Sequence, residues 1–324
     1  MAEPMISLRD LEKRYSGAAA PAVAGLSLDV GRGEIVSLVG PSGCGKTTTL
    51  KMINRLVEPT GGSIQIGGVD VSTRDAAELR RGIGYVIQTV GLLPHRTIEQ
   101  NMATVPRLLG WDRARIDARI EELATLFELE PELLRRYPAE LSGGQRQRVG
   151  VARALAAGPP VMLMDEPFAA VDPIVRGRLQ DEFLSIQDRL GTTIVFVTHD
   201  IDEAIKLSDR IAILNVGGHL EQFDTPEEIL RRPANTFVEN FVGDERGLHR
   251  LGLRSLANLD LDPPSADGAG GGGPDVPVVP ADATLRRALD GLLASGAERI
   301  DVAGPDGAPT GSITVERIIE ELSR

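Results

Sequence analysis

Residues 34–39, Glu-Ile-Val-Ser-Leu-Val, form an apolar run that passes directly into Gly40-Pro-Ser-Gly-Cys-Gly-Lys-Thr47, and residues 48–56 then suit a helix. A strand, a glycine-rich loop and a helix in that order restrict the chain to a fold built on a βα unit with a curled loop. Glycines let the loop turn its N–H groups inward, and the helix N-terminus adds positive potential. Taken as a bare string, the loop also fits an ordinary glycine-rich turn. With the strand before it and the helix after it, the pattern points to a phosphate cradle spanning Gly40, Pro41, Ser42, Gly43, Cys44, Gly45, Lys46, Thr47 and Thr48. Lys46 has the reach for the β- and γ-phosphates of a nucleotide, and the Thr47 hydroxyl is a candidate ligand for Mg²⁺.

A phosphate loop of this kind needs a second carboxylate for the metal. Residues 161–164, Val-Met-Leu-Met, read as a buried parallel strand, and Asp165 stands at its C-terminal end. That is where ligands meet open α/β sheets. The neighbouring Glu166 is the candidate general base, placed to orient a water and accept its proton. An ordinary acidic strand end is the bland alternative, and two adjacent carboxylates after four apolar residues weigh against it. The pairing points to hydrolysis rather than to binding alone.

Residues 194–197 form another short apolar run, and 178–189 read as the helix that crosses over to it. Residues 6–11, 26–30 and 64–66 read as short strands between glycine-rich turns. From 97 to 136 the pattern is mostly helical, with Leu123, Leu126, Phe127 and Leu129 on apolar faces. Alternating helices and buried strands imply an α/β core with a largely parallel sheet.

The 324 residues carry 42% apolar and 25% charged side chains, a globular composition with length for more than one domain. A formal net charge of −12 argues against a nucleic-acid binder that neutralises phosphates, and against a basic surface held on anionic lipid. The single cysteine, Cys44, leaves no intrachain disulfide framework and fits a reducing compartment, with loop filling as its expected role. The first ten residues lack the apolar core of a signal peptide, and no stretch approaches the roughly 20 apolar residues that a membrane helix needs.

Leu141-Ser-Gly-Gly-Gln145 narrows the class further. Ser142, Gly143, Gly144 and Gln145 stand at an expected helix start, where small residues bring backbone donors close to an anion. Such a tip is either a helix cap or a second phosphate site with no nucleotide of its own. Lying between the glycine-rich loop and Asp165, it resembles the signature motif of ABC ATPases. The resemblance extends over most of residues 1–243. It implies that Tyr15 stacks on adenine, and that Gln88 in Tyr85-Val-Ile-Gln88 touches Mg²⁺ and links to membrane subunits. It also implies that Asp172 in Ala170-Val-Asp-Pro173 crosses a dimer, and that His199 in Val197-Thr-His-Asp200 contacts the γ-phosphate. The metal set is then Thr47, Gln88 and Asp165, and the catalytic set Glu166, His199 and Lys46. The implied fold is a P-loop α/β core with an antiparallel β subdomain and a helical subdomain. The implied assembly is a head-to-tail homodimer with two ATP molecules between subunits, each held by one chain's Lys46 loop and the other chain's Ser142 to Gln145.

A finer resemblance is to the ATPases of osmoprotectant importers for glycine betaine, carnitine, choline or proline. It rests on Lys46-Thr-Thr-Thr-Leu-Lys-Met-Ile-Asn-Arg-Leu56, Ile83-Gly-Tyr-Val-Ile-Gln-Thr-Val-Gly-Leu-Leu-Pro-His95, Arg136-Tyr-Pro-Ala-Glu-Leu141, Asp202-Glu-Ala-Ile-Lys-Leu207 and Arg231-Arg-Pro-Ala-Asn235. It implies permease partners, an indirect link to a substrate-binding protein, and a peripheral place on the cytoplasmic face of the cell membrane. Importers of another cargo (an amino acid, methionine, a polyamine or an anion) and a non-transport ABC ATPase are the alternatives. Residues 263–280 are rich in Pro, Gly and Asp and contain Gly270-Gly-Gly-Gly273, so 244–277 reads as a linker. Residues 278–324 resemble one CBS motif, through Val278-Val-Pro-Ala-Asp-Ala-Thr-Leu285, Ser295-Gly-Ala-Glu-Arg-Ile300 and Gly311-Ser-Ile-Thr-Val315, with 251–261 as a candidate leading strand. Such motifs work in pairs. A ligand site, pairing across the dimer and a structural remnant all stay open for a single copy.

Overall fold

The computed structural model describes residues 3–88, 91–169, 171–243, 246–263, 277–304 and 307–323. The chain divides into two units, Met1–Pro226 and Glu227–Arg324.

The strands of the first unit are β1 (Ile6–Lys13), β2 (Val23–Val30), β3 (Ile35–Val39), β4 (Gly61–Ile66) and β5 (Val69–Asp70). They continue as β6 (Ile83–Val86), β7 (Val161–Asp165), β8 (Thr193–Val197), β9 (Arg210–Asn215) and β10 (His219–Asp224). One sheet has the order β2-β1-β4-β5 and is antiparallel throughout. The other has the order β10-β9-β3-β8-β7-β6, parallel from β9 to β6, with β10 as an antiparallel edge. This is the expected α/β core with an antiparallel β part beside it.

Every residue of β3, β7 and β8 is buried, as strands covered on both faces must be. Their side chains alternate between two cores. Met162, Met164, Ile194 and Phe196 join one, and Val161, Leu163, Val195 and Val197 join the other. The two-residue period of a strand produces that division directly. The second core takes in Ile6, Leu8, Leu26 and Ile64 of the antiparallel sheet, together with Leu50 of α1 (Lys46–Ile53).

The remaining helices of the unit are α2 (Ala76–Arg81), α3 (Ile98–Met102), α4 (Thr104–Leu108), α5 (Arg113–Leu126), α6 (Pro131–Leu134), α7 (Gly143–Leu155), α8 (Pro173–Leu190) and α9 (Ile201–Leu207). The helical stretch read over 97–136 is thus four short helices. Thr97 caps α3 in a capping box with Gln100, and Asp112 caps α5 through the Arg115 amide. Between them Gly110, at φ 74°, turns the chain in a conformation that favours glycine. Leu123 of α5, Val149 of α7 and Phe183 of α8 close the first core over the parallel sheet.

The second unit carries α10 (Pro226–Arg231) from its boundary, then α11 (Thr236–Val242), α12 (Arg246–Leu253) and β11 (Val278–Pro280). After these come α13 (Leu285–Ser295), β12 (Arg299–Ala303), β13 (Pro309–Thr314) and α14 (Val315–Ser323). Its sheet has the order β11-β12-β13, with β11 and β12 parallel and β12 and β13 antiparallel. Inside the stretch read as a linker, 244–277, residues 246–258 carry regular structure. The segment 251–261 contributes no strand of its own: it is the end of α12 and a 3₁₀ turn, Leu256–Asn258, and Leu251 and Leu256 enter the core with Val279, Leu285, Ile300 and Ile313. Asp262 bridges to the sheet at Ser312, whose hydroxyl also donates to the Pro263 carbonyl. Helix α12 is held because Arg250 donates to the Leu322 carbonyl at 2.5 Å and Arg254 donates to that of Glu321. Both carbonyls lie in the last turn of α14, where no intrahelical donor is left for them. The glycine run Gly270 to Gly273 lies outside the described residues.

Phe196 is 1% exposed at the centre of the parallel sheet. Phe196→Ala is expected to cost about 3–5 kcal/mol, seen as a lower urea midpoint for the first unit. Leu293→Ala, at a position 71% exposed, should stay within about 0.5 kcal/mol of the parent.

Candidate functional site

Parallel strands bring their C-terminal ends to one edge of a sheet, and three of the predicted motifs meet there. β3 ends at Val39 before the glycine-rich loop, β7 ends on Asp165, and β8 ends at Val197, two residues before His199. A cavity of about 480 Å³ opens between them, lined by Ala22, residues 42–48, Glu166 and His199.

The loop conformation demands glycine at two points. Gly40 has φ 147° and Gly45 has φ 96°. A Cβ at Gly40 would lie 2.1 Å from the Leu214 carbonyl oxygen, and one at Gly45 would lie 2.3 Å from that of Ala22. Lys46 is 8% exposed and folds back into the loop. Its Nζ donates to the carbonyls of Gly40 at 2.6 Å and Pro41 at 3.1 Å, with Cys44 Sγ at 3.7 Å. A buried ammonium held by two neutral carbonyls can be drawn to an anion entering the loop. Cys44 is buried in the second core, in keeping with a filling role.

On the acidic side, Thr47 Oγ1 donates to Asp165 Oδ1 at 3.0 Å. A hydroxyl and a carboxylate side by side are the hard oxygen donors that suit Mg²⁺. Burial pushes the Asp165 carboxyl above its ordinary value, the Thr47 bond opposes this, and the Glu166 charge adds to the upward push. Glu166 sits at φ 47°, a left-handed conformation that costs a non-glycine residue of order 1–3 kcal/mol. Its amide donates to the Val197 carbonyl at 2.9 Å, which fixes the turn beside β8. The carboxylate then receives Gln88 Nε2 at 2.8 Å on one oxygen and lies 3.4 Å from His199 Nδ1 on the other. Gln88, Glu166 and His199, each read from a separate motif, are therefore in contact. Gln88 bonds to Glu166 here rather than to the Thr47–Asp165 pair.

Other predicted residues stand apart from the cavity lining. Tyr15 follows β1, is 44% exposed, and has Lys13 Nζ 5.3 Å from its ring centre. Ser142 caps α7: its hydroxyl accepts from the Gln145 amide at 3.2 Å, and Gln145 Oε1 accepts from the Ser142 amide at 2.9 Å. Gly143 and Gly144 open that helix. Asp172 is exposed just before α8, its carbonyl accepting from the Arg176 amide at 2.8 Å. Thr89, Val90 and Ala170 of the quoted motifs lie outside the described residues. Sequence reasoning missed Ala22, which enters the lining from the β1–β2 connection and carries no local signal. It also missed Gln147, whose buried amide donates to the Pro167 carbonyl and ties α7 to the turn after Glu166.

The sequence profile described as ABC transporter matches residues 23–169. The chain is 57% identical over 242 residues to the glycine betaine/carnitine/choline transport ATP-binding protein of Bacillus subtilis (strain 168), covering 75% of this chain. It spans only 63% of that relative's length. It is 46% identical over 318 residues to the glycine betaine uptake system ATP-binding protein of Escherichia coli (strain K12), covering 98% of this chain and 100% of that one. Among solved structures, a dimeric ATP-binding cassette in a post-hydrolysis state with ADP and Pi superposes with a TM-score of 0.62 at 34% identity. That match covers 68% of this chain and 99% of the other.

The raised Asp165 carboxyl gives a pH signature. A carboxylic acid favoured in its protonated form by the fold loses stability as pH rises from its ordinary value of 3.8 through the raised folded value, and stays penalised above that. Asp165→Asn should therefore raise the melting temperature of the nucleotide-free protein at pH 7, with the gain shrinking as pH falls towards 4. A variant no more stable than the parent at pH 7 would contradict this account of the burial.

Proposed function

The chain belongs to the ABC transporter family, and on that premise we propose that it is the ATP-binding and ATP-hydrolysing subunit of an importer of quaternary ammonium osmoprotectants. One observation carries the chemistry: the Lys46 loop, Thr47 with its bond to Asp165 behind it, and the Glu166–His199 contact line a single cavity. The proposed cargo is glycine betaine, carnitine, choline or proline, and the names of the Bacillus and Escherichia relatives support it.

In this reading the loop amides receive the β- and γ-phosphates, and Lys46 leaves the carbonyls of Gly40 and Pro41 to pair with them. Thr47 and Asp165 would hold Mg²⁺, with Gln88 reaching it once released from Glu166, and the ion would neutralise charge on the phosphate oxygens. Glu166 orients the attacking water and accepts its proton, so Gln88 must first give up its bond to that carboxylate. His199, on the other carboxylate oxygen, steadies Glu166 and faces the γ-phosphate. Tyr15 offers its exposed ring to the adenine.

Ser142, Gly143, Gly144, Gln145 and Asp172 lie outside the cavity lining of their own chain, so the cage is completed by a second copy. A homodimer with two ATP molecules follows, closing on ATP and opening after hydrolysis. The solved relative described as a dimer with ADP and Pi supports this arrangement. No helix among the described residues is long and apolar enough to cross a bilayer. Passage of the cargo is assigned to permease subunits, fed by a substrate-binding protein, with this chain on the cytoplasmic face.

Glu166→Gln is expected to slow hydrolysis by roughly 10²–10⁴ while ATP still binds, and the loaded variant should run as a dimer in size-exclusion chromatography. Parent-like turnover would remove Glu166 from its role. For the cargo, a strain lacking this chain should lose uptake of labelled glycine betaine, carnitine, choline or proline. Loss of methionine or sulfate uptake alone would instead assign another importer.

A further inference from the structure

Helix α8 starts directly after the Asp172 loop, and one of its faces grips the turn that carries His199. Arg176 Nη2 donates to the Val171 carbonyl at 3.2 Å, one residue before Asp172. Its Nη1 stands 3.6 Å from Asp200 Oδ2, one residue after His199. Asp200 is itself fixed: Oδ1 accepts from the amides of Asp202 at 2.9 Å and Glu203 at 3.2 Å, and its own amide donates to Thr198 Oγ1 at 3.1 Å. One turn further along α8, Gln180 Nε2 donates to Glu203 Oε1 at 3.2 Å, and Glu203 is 5% exposed. Positions 176 and 180 share a helix face, so α8 holds the turn at two points.

We propose that Arg176 is a positioning residue for ATP hydrolysis, its forked guanidinium tying the Asp172 loop to the His199 turn so that the imidazole keeps its place beside Glu166. The proposal rests on the ATPase reading above. A guanidinium suits the task because its two Nη groups are held apart in a rigid plane, so one reaches a carbonyl and the other a carboxylate on a different segment. The pair with Asp200 is part-exposed, and such pairs contribute little to stability. A loss of turnover without a loss of fold is therefore the signature of positioning. The same tie gives the Asp172 loop, which the proposed dimer sets at the edge of a second copy, a physical path to the imidazole.

The test compares full-length Arg176→Gln and Arg176→Lys with the parent. Arg176→Gln should lower kcat about 10- to 100-fold, the scale of a misplaced group, with KM for ATP within about threefold. Arg176→Lys should fall in between, and it carries the test alone if the Gln variant does not fold. In a His199→Ala background the Arg176→Gln loss should shrink to less than about threefold, because both changes act on one group. Parent-like kcat in the Arg176 variants, or a loss that multiplies in full with that of His199→Ala, overturns the proposal. Hydrogen exchange supplies a readout that needs no activity: the amides of Asp202 and Glu203 should exchange faster in Arg176→Gln at an unchanged melting temperature. Unchanged exchange overturns the tie. A parent chain that hydrolyses no ATP with its permease overturns the ATPase reading, and the exchange result still decides the tie.

Discussion

Parallel pairing of β3 with β8, and of β8 with β7, is the interaction on which the rest depends. Each of these strands is buried along its whole length, so its backbone groups must find partners within the protein, and neighbouring strands supply most of them. Parallel direction then forces the three C-terminal ends to one edge. The glycine-rich loop, Asp165 with Glu166, and His199 are consequences of that pairing, although residues 40 and 199 lie far apart in the chain. Two cores, one on each face, cover the sheet on both sides.

At that edge the polar groups gather around the cavity that the Lys46 loop lines. Lys46 is buried against two carbonyls and the Cys44 sulfur, and Asp165 is buried beside Thr47 and a second carboxylate. Glu166 is held in a left-handed turn and contacted from two sides. Each of these costs free energy in the isolated chain, and strain of this kind concentrates at functional sites. The arrangement makes chemical sense when a triphosphate replaces the carbonyls at Lys46. The second unit follows other rules. Its small sheet cannot bury enough surface alone, and it recruits Leu251 and Leu256 from the segment before it.

Much of the site is legible in the sequence because its residues sit in short, local motifs. The strand before Gly40, the four apolar residues before Asp165 and the run before His199 each announce a strand end. Helix starts were legible for the same reason: Ser142 and Gln145 spell a capping box. Ala22, Gln147 and Arg176 were not legible. Each acts through a contact between elements distant in sequence, with no spacing rule to mark it. Within the stretch read as a linker, the helix and turn over 246–258 were not legible, because Leu251 and Leu256 lie too far apart to show a helical stripe. Their burial is set by β11 to β13, which come later in the chain.

By itself the sequence determined the alternation of buried strands and helices, the phosphate loop and the pair of carboxylates. These depend on backbone propensity and burial over a few residues, which a local string encodes. Only the tertiary structure decided that Gln88 lies on Glu166, that His199 meets the same carboxylate, and that Arg176 spans from the Asp172 loop to the His199 turn. The contacts of Gln88 with Glu166, His199 with Glu166 and Arg176 with Asp200 join residues more than twenty positions apart, and their geometry exists only once the strands have been ordered in the sheet.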